Sequence, residues 1–138
     1  MKIDPGVRAS AQKQATSFVR TERSYDVEEL KLMLKEFAEE RDWDQFHSPK
    51  NLAMALSVEA AEIVECFQWL TEDESRKLDD EALSRVSKEI GDVLIYLVRL
   101  ADKLEIDPVK AAKEKLEINK EKYPKDLVKG KSKKYSEY

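Results

Sequence analysis

An all-α helical bundle, assembled as a homo-oligomer, is the fold that the sequence predicts, on three observations. The 138 residues include only 3 Gly and 4 Pro, too few turn formers for a sandwich or a barrel. Apolar residues recur at three- and four-residue spacing through several long segments, the signature of helices that bury one face. Most of these segments open on a residue that caps a helix N-terminus. The length suits one domain of ordinary size.

Residues 1–25 read as an N-terminal extension without assigned chemistry. The first 24 carry five Lys or Arg against Asp4 and Glu22, a weak likeness to a transit peptide that Asp4-Pro5-Gly6 interrupts. The first firm helix begins at Asp26, an N-cap with Glu29 three positions on, while Tyr25 and Leu30 sit where a hydrophobic staple closes. Its apolar stripe is Val27, Leu30, Met33, Leu34 and Phe37, and it ends near Arg41. Residues 42–47 form a connection rich in rings: Trp43, Phe46 and His47. Ser48-Pro49 supplies an N-cap and a proline at the first helical position, opening a second helix that runs to about Trp69.

Thr71 with Glu74 makes a capping box before a short polar segment. A third helix follows from about Asp80 to Leu104, striped by Leu83, Val86, Ile90, Val93, Leu94, Leu97 and Leu104. Over Val93–Val98 the apolar character runs right round, which a monomeric surface helix does not need, so this segment is expected inside an oligomer. Asp107-Pro108 opens a fourth helix that Pro124 stops, and residues 125–138 read as a Lys-rich tail.

Charge and cysteine content bound the function. Lys and Arg number 25 against 29 Asp and Glu, a net charge of -4, so no global basic field favours a nucleic acid polymer or a membrane surface as partner. The longest apolar stretch, Leu52 to Leu70, holds three glutamates, unlike a membrane span. A single Cys66 forms no internal disulfide, which suits a cytoplasmic setting.

The informative motif is Glu59-Ala-Ala-Glu62 on the second helix. Glu59 falls among Leu52, Leu56, Ile63 and Phe67 on the core face, and Glu62 lies on the same side one turn along. The third helix repeats the device as Glu89-Ile-Gly-Asp92. A lone Glu-x-x-Glu is ordinarily a solvated face, but two pairs in the apolar stripes of neighbouring helices point to a cation. Two carboxylates roughly 4 Å apart repel by about 4 kcal/mol at an effective dielectric near 20. An all-oxygen ligand set suits a hard ion, Mg²⁺, with substrate phosphates completing the shell. The carboxylate-bridged di-iron bundle needs Glu-x-x-His pairs, and the single His47 lies outside any such pair.

No P-loop is present. Phosphates would therefore be met by metal and by side chains, for which Lys115, Asn119, Lys122 and Tyr123 on the fourth helix are candidates. The same lysines could equally form a solvated face paired with Glu114 or Glu117. Trp43, Phe46, His47 and Trp69, around the two ends of the second helix, are rings that could stack on a base or pack in a core. Tyr96, four residues after Asp92, could orient a phosphate or pack.

Taken together, Glu-x-x-Glu, Glu-x-x-Asp and Lys-x-x-x-Asn on successive helices resemble the all-α nucleoside triphosphate pyrophosphohydrolases of the MazG-like superfamily. The strings Phe37–His47, Phe67–Trp69, Asp92–Val98, Ile118–Pro124 and Lys134-Tyr135 look closer still to its dCTP pyrophosphatase branch. The resemblance spans about Asp26 to Tyr135 and sets residues 26–124 as the pyrophosphohydrolase domain. It implies a homodimer or homotetramer, a dimer of dimers, that hydrolyses dCTP or a modified dCTP to the monophosphate and pyrophosphate. By position, it implies Mg²⁺ on Glu59, Glu62, Glu89 and Asp92, with Glu59 or Glu62 handling the attacking water. It places Lys115 and Asn119 on phosphates, Tyr96 in support, and Trp43, His47 and Trp69 around the base. Leu34 departs from the pattern, standing where vertebrate members of that branch carry His, a position tied to base recognition. The alternatives are a non-catalytic helical oligomerisation module, whose acids would meet lysines across an interface, and the same chemistry on dUTP or another pyrimidine triphosphate.

Overall fold

A computed structural model of the chain describes residues 26–134 and Ser136; the expected N-terminal extension and Tyr135 lie outside them. Among the described residues, regular structure is entirely helical. The helices are α1 (Val27–Glu40), α2 (Pro49–Phe67), α3 (Glu72–Ser75), α4 (Asp80–Lys103), α5 (Pro108–Lys122) and α6 (Lys125–Val128), with a 3-10 turn at Asp44–Phe46 between α1 and α2. The polar segment after Thr71 thus closes into one helical turn, and the start of the expected tail into another.

The helix starts follow from local chemistry. Asp26 accepts from the Glu29 N–H at 2.7 Å and Ser48 from Asn51 at 3.2 Å. Thr71 and Glu74 form the reciprocal capping box, and Asp107 accepts from both Val109 and Lys110 at 2.9 Å. Asp79 caps α4 through the Ala82 N–H at 2.7 Å. Each such cap is worth about 1 kcal/mol.

The helix ends carry less obvious signals. α1 and α4 each stop on a left-handed residue that is not glycine, Asp42 (φ 52°) and Glu105 (φ 54°). Around Asp42 the Trp43 N–H reaches back to the Ala38 carbonyl at 2.9 Å and the Asp42 N–H to Glu39 at 3.1 Å. Ile106 and Glu105 repeat the pair onto Ala101 and Asp102 at 2.9 and 3.1 Å. This is the Schellman arrangement, which satisfies carbonyls that the helix leaves orphaned. Its accompanying apolar contact is the edge of Trp43 against Phe37, with ring centroids 5.8 Å apart. The turn therefore aims an aromatic ring, with consequences for the site below.

The core is small and centred on α4, against which α2 packs along its length and α1 more briefly. Among the described residues Ala38, Leu52, Val86, Val98 and Ala101 are the buried apolar ones, joined by one buried cation, Arg99. Much of the expected striping is not covered by the other described residues: Met33 and Phe37 on α1, Leu83, Ile90, Leu94 and Leu97 on α4, and Leu104 at its C-cap are exposed. The physical reason is geometric. A helix with apolar residues round most of its circumference can present only one side to two neighbours, and the other side finds none among the described residues. α5 buries no residue at all.

Leu52, 1% exposed at the α2–α4 contact, is the side chain on which that pairing closes. Leu52→Ala should lower the unfolding free energy by about 2–5 kcal/mol, read as an earlier urea midpoint at unchanged slope.

Candidate active site

Pressing α2 against α4 brings acids together as well as apolar groups. Glu59 lies seven residues beyond Leu52 and Glu89 three beyond Val86, so the faces that bury those two residues also carry the carboxylates. Glu59, Glu89 and Asp92 each place one carboxylate oxygen within 4.8 Å of the others, and all three are half-buried. Glu62 is exposed and outside that trio, yet it lies close enough to hydrogen-bond with Glu89 and add to its electrostatic load.

The electrostatics follow from this crowding. Loss of water pushes the Glu59 carboxyl above its ordinary range, and the charges of Glu62, Asp92 and Glu89 push the same way. Glu89 is raised for the same reasons, desolvation first and then Glu62, with Lys88 opposing weakly. A cleft that raises two carboxyls, by desolvation first and by mutual repulsion besides, is one that a divalent cation would relieve. Its donors are all hard oxygens, which fits Mg²⁺.

Farther along α4 a cavity of 280 Å³ opens, lined by Leu30, Met33, Leu34 and Phe37 of α1, Trp43 and His47 of the connection, and Ile95, Tyr96 and Arg99 of α4. Trp43 and His47, two of the three expected base contacts, are thus brought to one cavity with Tyr96, the expected supporting residue, and Leu34 lines it too. The connection is held by its own polar groups. The Gln45 side-chain amide donates to the Asp42 carbonyl at 2.9 Å, and that of Asn51 to the Phe46 carbonyl at 2.9 Å.

Sequence reading missed the residue that ties this connection to α4. Arg99, 3% exposed, donates through Nη2 to Asp44 Oδ1 at 3.0 Å and faces His47 Nδ1 at 3.3 Å, while Nη1 reaches Asp102 at 3.2 Å. Lys103 joins Asp44 at 2.6 Å. The Lys103 ammonium, then Arg99, holds the Asp44 carboxyl below its usual range. The available signal was an arginine directly after an all-apolar run, where an unpaired cation would be costly.

The remaining candidates stand elsewhere. Lys115 is exposed and Asn119 half-buried on α5. Glu114 and Glu117, the acids set against these lysines in the sequence, pair with Lys110 at 3.9 Å and Lys120 at 2.7 Å. Lys122 and Tyr123 close the same helix, where the Tyr123 N–H bonds the Asn119 carbonyl at 2.8 Å. Trp69, 88% exposed, follows the far end of α2. The 19 residues of that helix separate it from His47 by about 28 Å of axial rise, so one chain does not bring the two rings to one pocket.

Comparison with known proteins gives a consistent assignment. The MazG-like family model matches residues 54–138, a span that includes all four acids and α5 but not Trp43 or His47. Human dCTP pyrophosphatase 1 is 41% identical over 113 residues, covering 80% of this chain and 66% of that protein. The bovine dCTP pyrophosphatase 1 is 37% identical over the same length. The chain thus spans just under two thirds of the human relative, 66% of its length. Among solved structures, a pyrophosphatase from Archaeoglobus fulgidus DSM 4304 is 46% identical and superposes with a TM-score of 0.68, covering 72% of this chain and 94% of that one. With the family model matched over residues 54–138 and the helical frame matched by a solved pyrophosphatase, this chain belongs to the MazG-like family.

Proposed function

We propose that the protein hydrolyses a deoxynucleoside triphosphate, dCTP or a modified dCTP, to the monophosphate and pyrophosphate, as a nucleotide-pool sanitation enzyme. The observation that carries this reading is the common placement of two sites on one helix. Glu89, Asp92, Tyr96 and Arg99 follow one another on α4 at spacings of three, four and three, which keeps them on one face. Asp92 and Arg99 are separated by about 10 Å of helical rise. An acidic, phosphate-suited end and a ring-lined, base-suited end therefore stand a nucleotide's length apart. The relatives named dCTP pyrophosphatase 1 favour cytosine as the base.

Glu59, Glu89 and Asp92, with Glu62 alongside, would hold Mg²⁺, which when bound supplies neutralising charge for the triphosphate. Glu59 or Glu62 accepts the proton of the water that attacks the α-phosphorus, with pyrophosphate leaving in line. Trp43, His47 and Tyr96 enclose the base. Lys115, Asn119, Lys122 and Tyr123 serve the phosphates from α5. Trp69 reaches a base site only from a second copy, in a homodimer or a dimer of dimers, and the uncovered apolar faces of α1 and α4 favour such association. The setting proposed is cytoplasmic, without nucleic acid polymer or membrane as partner; none of the described helices is long and apolar enough to cross a bilayer.

Pyrophosphate release from a panel of deoxynucleoside triphosphates should be greatest with dCTP or a modified dCTP; release from none of them would defeat the proposal in favour of a non-catalytic scaffold. Glu62→Gln and Asp92→Asn should each lose nearly all turnover while the mass of the assembly in light scattering stays that of the parent. Raised carboxyl pKa values mean that the folded metal-free protein binds more protons than the unfolded chain. Its stability therefore falls as pH climbs through the window above the ordinary carboxylate value. Mg²⁺ should consequently raise the melting temperature most near neutral pH, with the gain shrinking as pH is lowered toward the carboxylate range.

A further inference from the structure

The contact between Arg99 and His47 fixes more than position. A guanidinium carries donors only and keeps its proton at every accessible pH. His47 Nδ1, 3.3 Å from Arg99 Nη2, must therefore meet it with a lone pair. A neutral imidazole with its lone pair on Nδ1 bears its hydrogen on Nε2. The two hydrogens of Nη2 are then assigned, one to Asp44 Oδ1 at 3.0 Å and one to His47. The Nε–H of Arg99 is buried without a partner, so this guanidinium is held by the groups it orients and not by a full set of its own bonds.

We propose that Arg99 is a positioning residue for base recognition: it locks His47 as the neutral Nε2–H tautomer, so that the ring-lined cavity presents a hydrogen-bond donor and selects a base edge that presents an acceptor. The recognition step rests on the function proposed above; the tautomer does not. Set against N3, that donor separates cytosine, where N3 is an acceptor, from uracil and thymine, where N3 carries a hydrogen; O2 is an acceptor in all three and does not separate them. The same cavity without Arg99 would hold a His47 free to exchange tautomers and to protonate, and its preference would blur.

The surroundings of His47 agree with a neutral ring. Burial first, then the charges of Arg99 and Lys103 on α4, lower its pKa, while Asp44 on the connection pulls the other way. The α1 residues that line the cavity, Leu30, Met33, Leu34 and Phe37, bring no charge.

The chain has a single histidine, so a long-range proton–nitrogen NMR correlation reads its tautomer without ambiguity. In the 138-residue chain near pH 6.5, where an ordinary histidine is about half protonated, His47 should be neutral with the proton on Nε2. A proton on Nδ1, a mixture of tautomers or an imidazolium would overturn the proposal, whatever the pyrophosphate assay gives. Added dCMP should shift the Nε2 resonance and bind on the order of tenfold more tightly than dUMP. An unmoved Nε2 signal, or equal affinities, would defeat the recognition step on its own. In Arg99→Met the midpoint of His47 should rise toward its ordinary value and the dCMP preference shrink to within about twofold; retention of both parental behaviours would remove Arg99 from the role. Should that variant fail to fold, the measurements on the parent protein decide the matter.

Discussion

Carboxylates repel, and this fold forces them together. Three acidic oxygens within 4.8 Å of one another, each on a half-buried side chain, cannot all hold full charge in a cleft poor in water without cost. The cost is met by the pairing of α2 with α4. Leu52 and Val86 are buried on the same helix faces that carry Glu59 and Glu89, so apolar burial closes the interface that brings the acids near. The upward pKa of Glu59 and Glu89 is the visible residue of that conflict. A hard cation resolves it electrostatically, which is why the proposed chemistry and the helix pairing are a single physical problem. Separating the helices would relieve the repulsion and abolish the site together.

α4 acts as the ruler of the arrangement. A continuous helix of 24 residues fixes the distance between the acidic cleft and the ring-lined cavity through its own hydrogen bonds, with no hinge between Asp92 and Arg99. The connection after α1 is then fastened to this ruler by Asp44, which accepts from Arg99 at 3.0 Å and from Lys103 at 2.6 Å. Asp44 is itself half open to water, with 52% of its side chain exposed, so the cluster is not a sealed ion pair. Its part is geometric: it sets where Trp43 and His47 stand relative to Tyr96.

How much of this was legible in the sequence depends on the range of the interaction. The starts of α1, α2, α3 and α5 were readable because Asp26, Ser48, Thr71 and Asp107 act on N–H groups two or three residues away. The acidic pairs were readable because i, i+3 spacing on an apolar stripe is a local pattern. The Schellman stops at Asp42 and Glu105 were not, since a left-handed aspartate or glutamate carries no glycine to mark it. Arg99 was hidden for a different reason: its partner Asp44 lies 55 positions away, so an arginine following an all-apolar run hints at a buried cation without naming what it pairs with. Periodicity identified apolar stripes correctly as stripes but could not divide them between core and uncovered surface, and Met33, Phe37 and Ile90 fell on the uncovered side.

That division bears on how the site could be completed. Among the described residues the buried apolar set is five, two of them alanines, which leaves these residues little hydrophobic free energy to oppose the entropy of ordering. Leu94 and Leu97, each 41% exposed, interleave in sequence with Asp92, Tyr96 and Arg99 and look away from them by helical geometry. Covering that second face with another copy would stabilise α4 from behind while leaving its acidic face open to a nucleotide. The same step offers a route for Trp69, held by the length of α2 about 28 Å of axial rise from His47 in its own chain, to approach a base bound by another. Self-association and substrate enclosure would then depend on opposite sides of one helix, so a substitution that weakens the leucine side would be felt at the carboxylate side through loss of α4 itself.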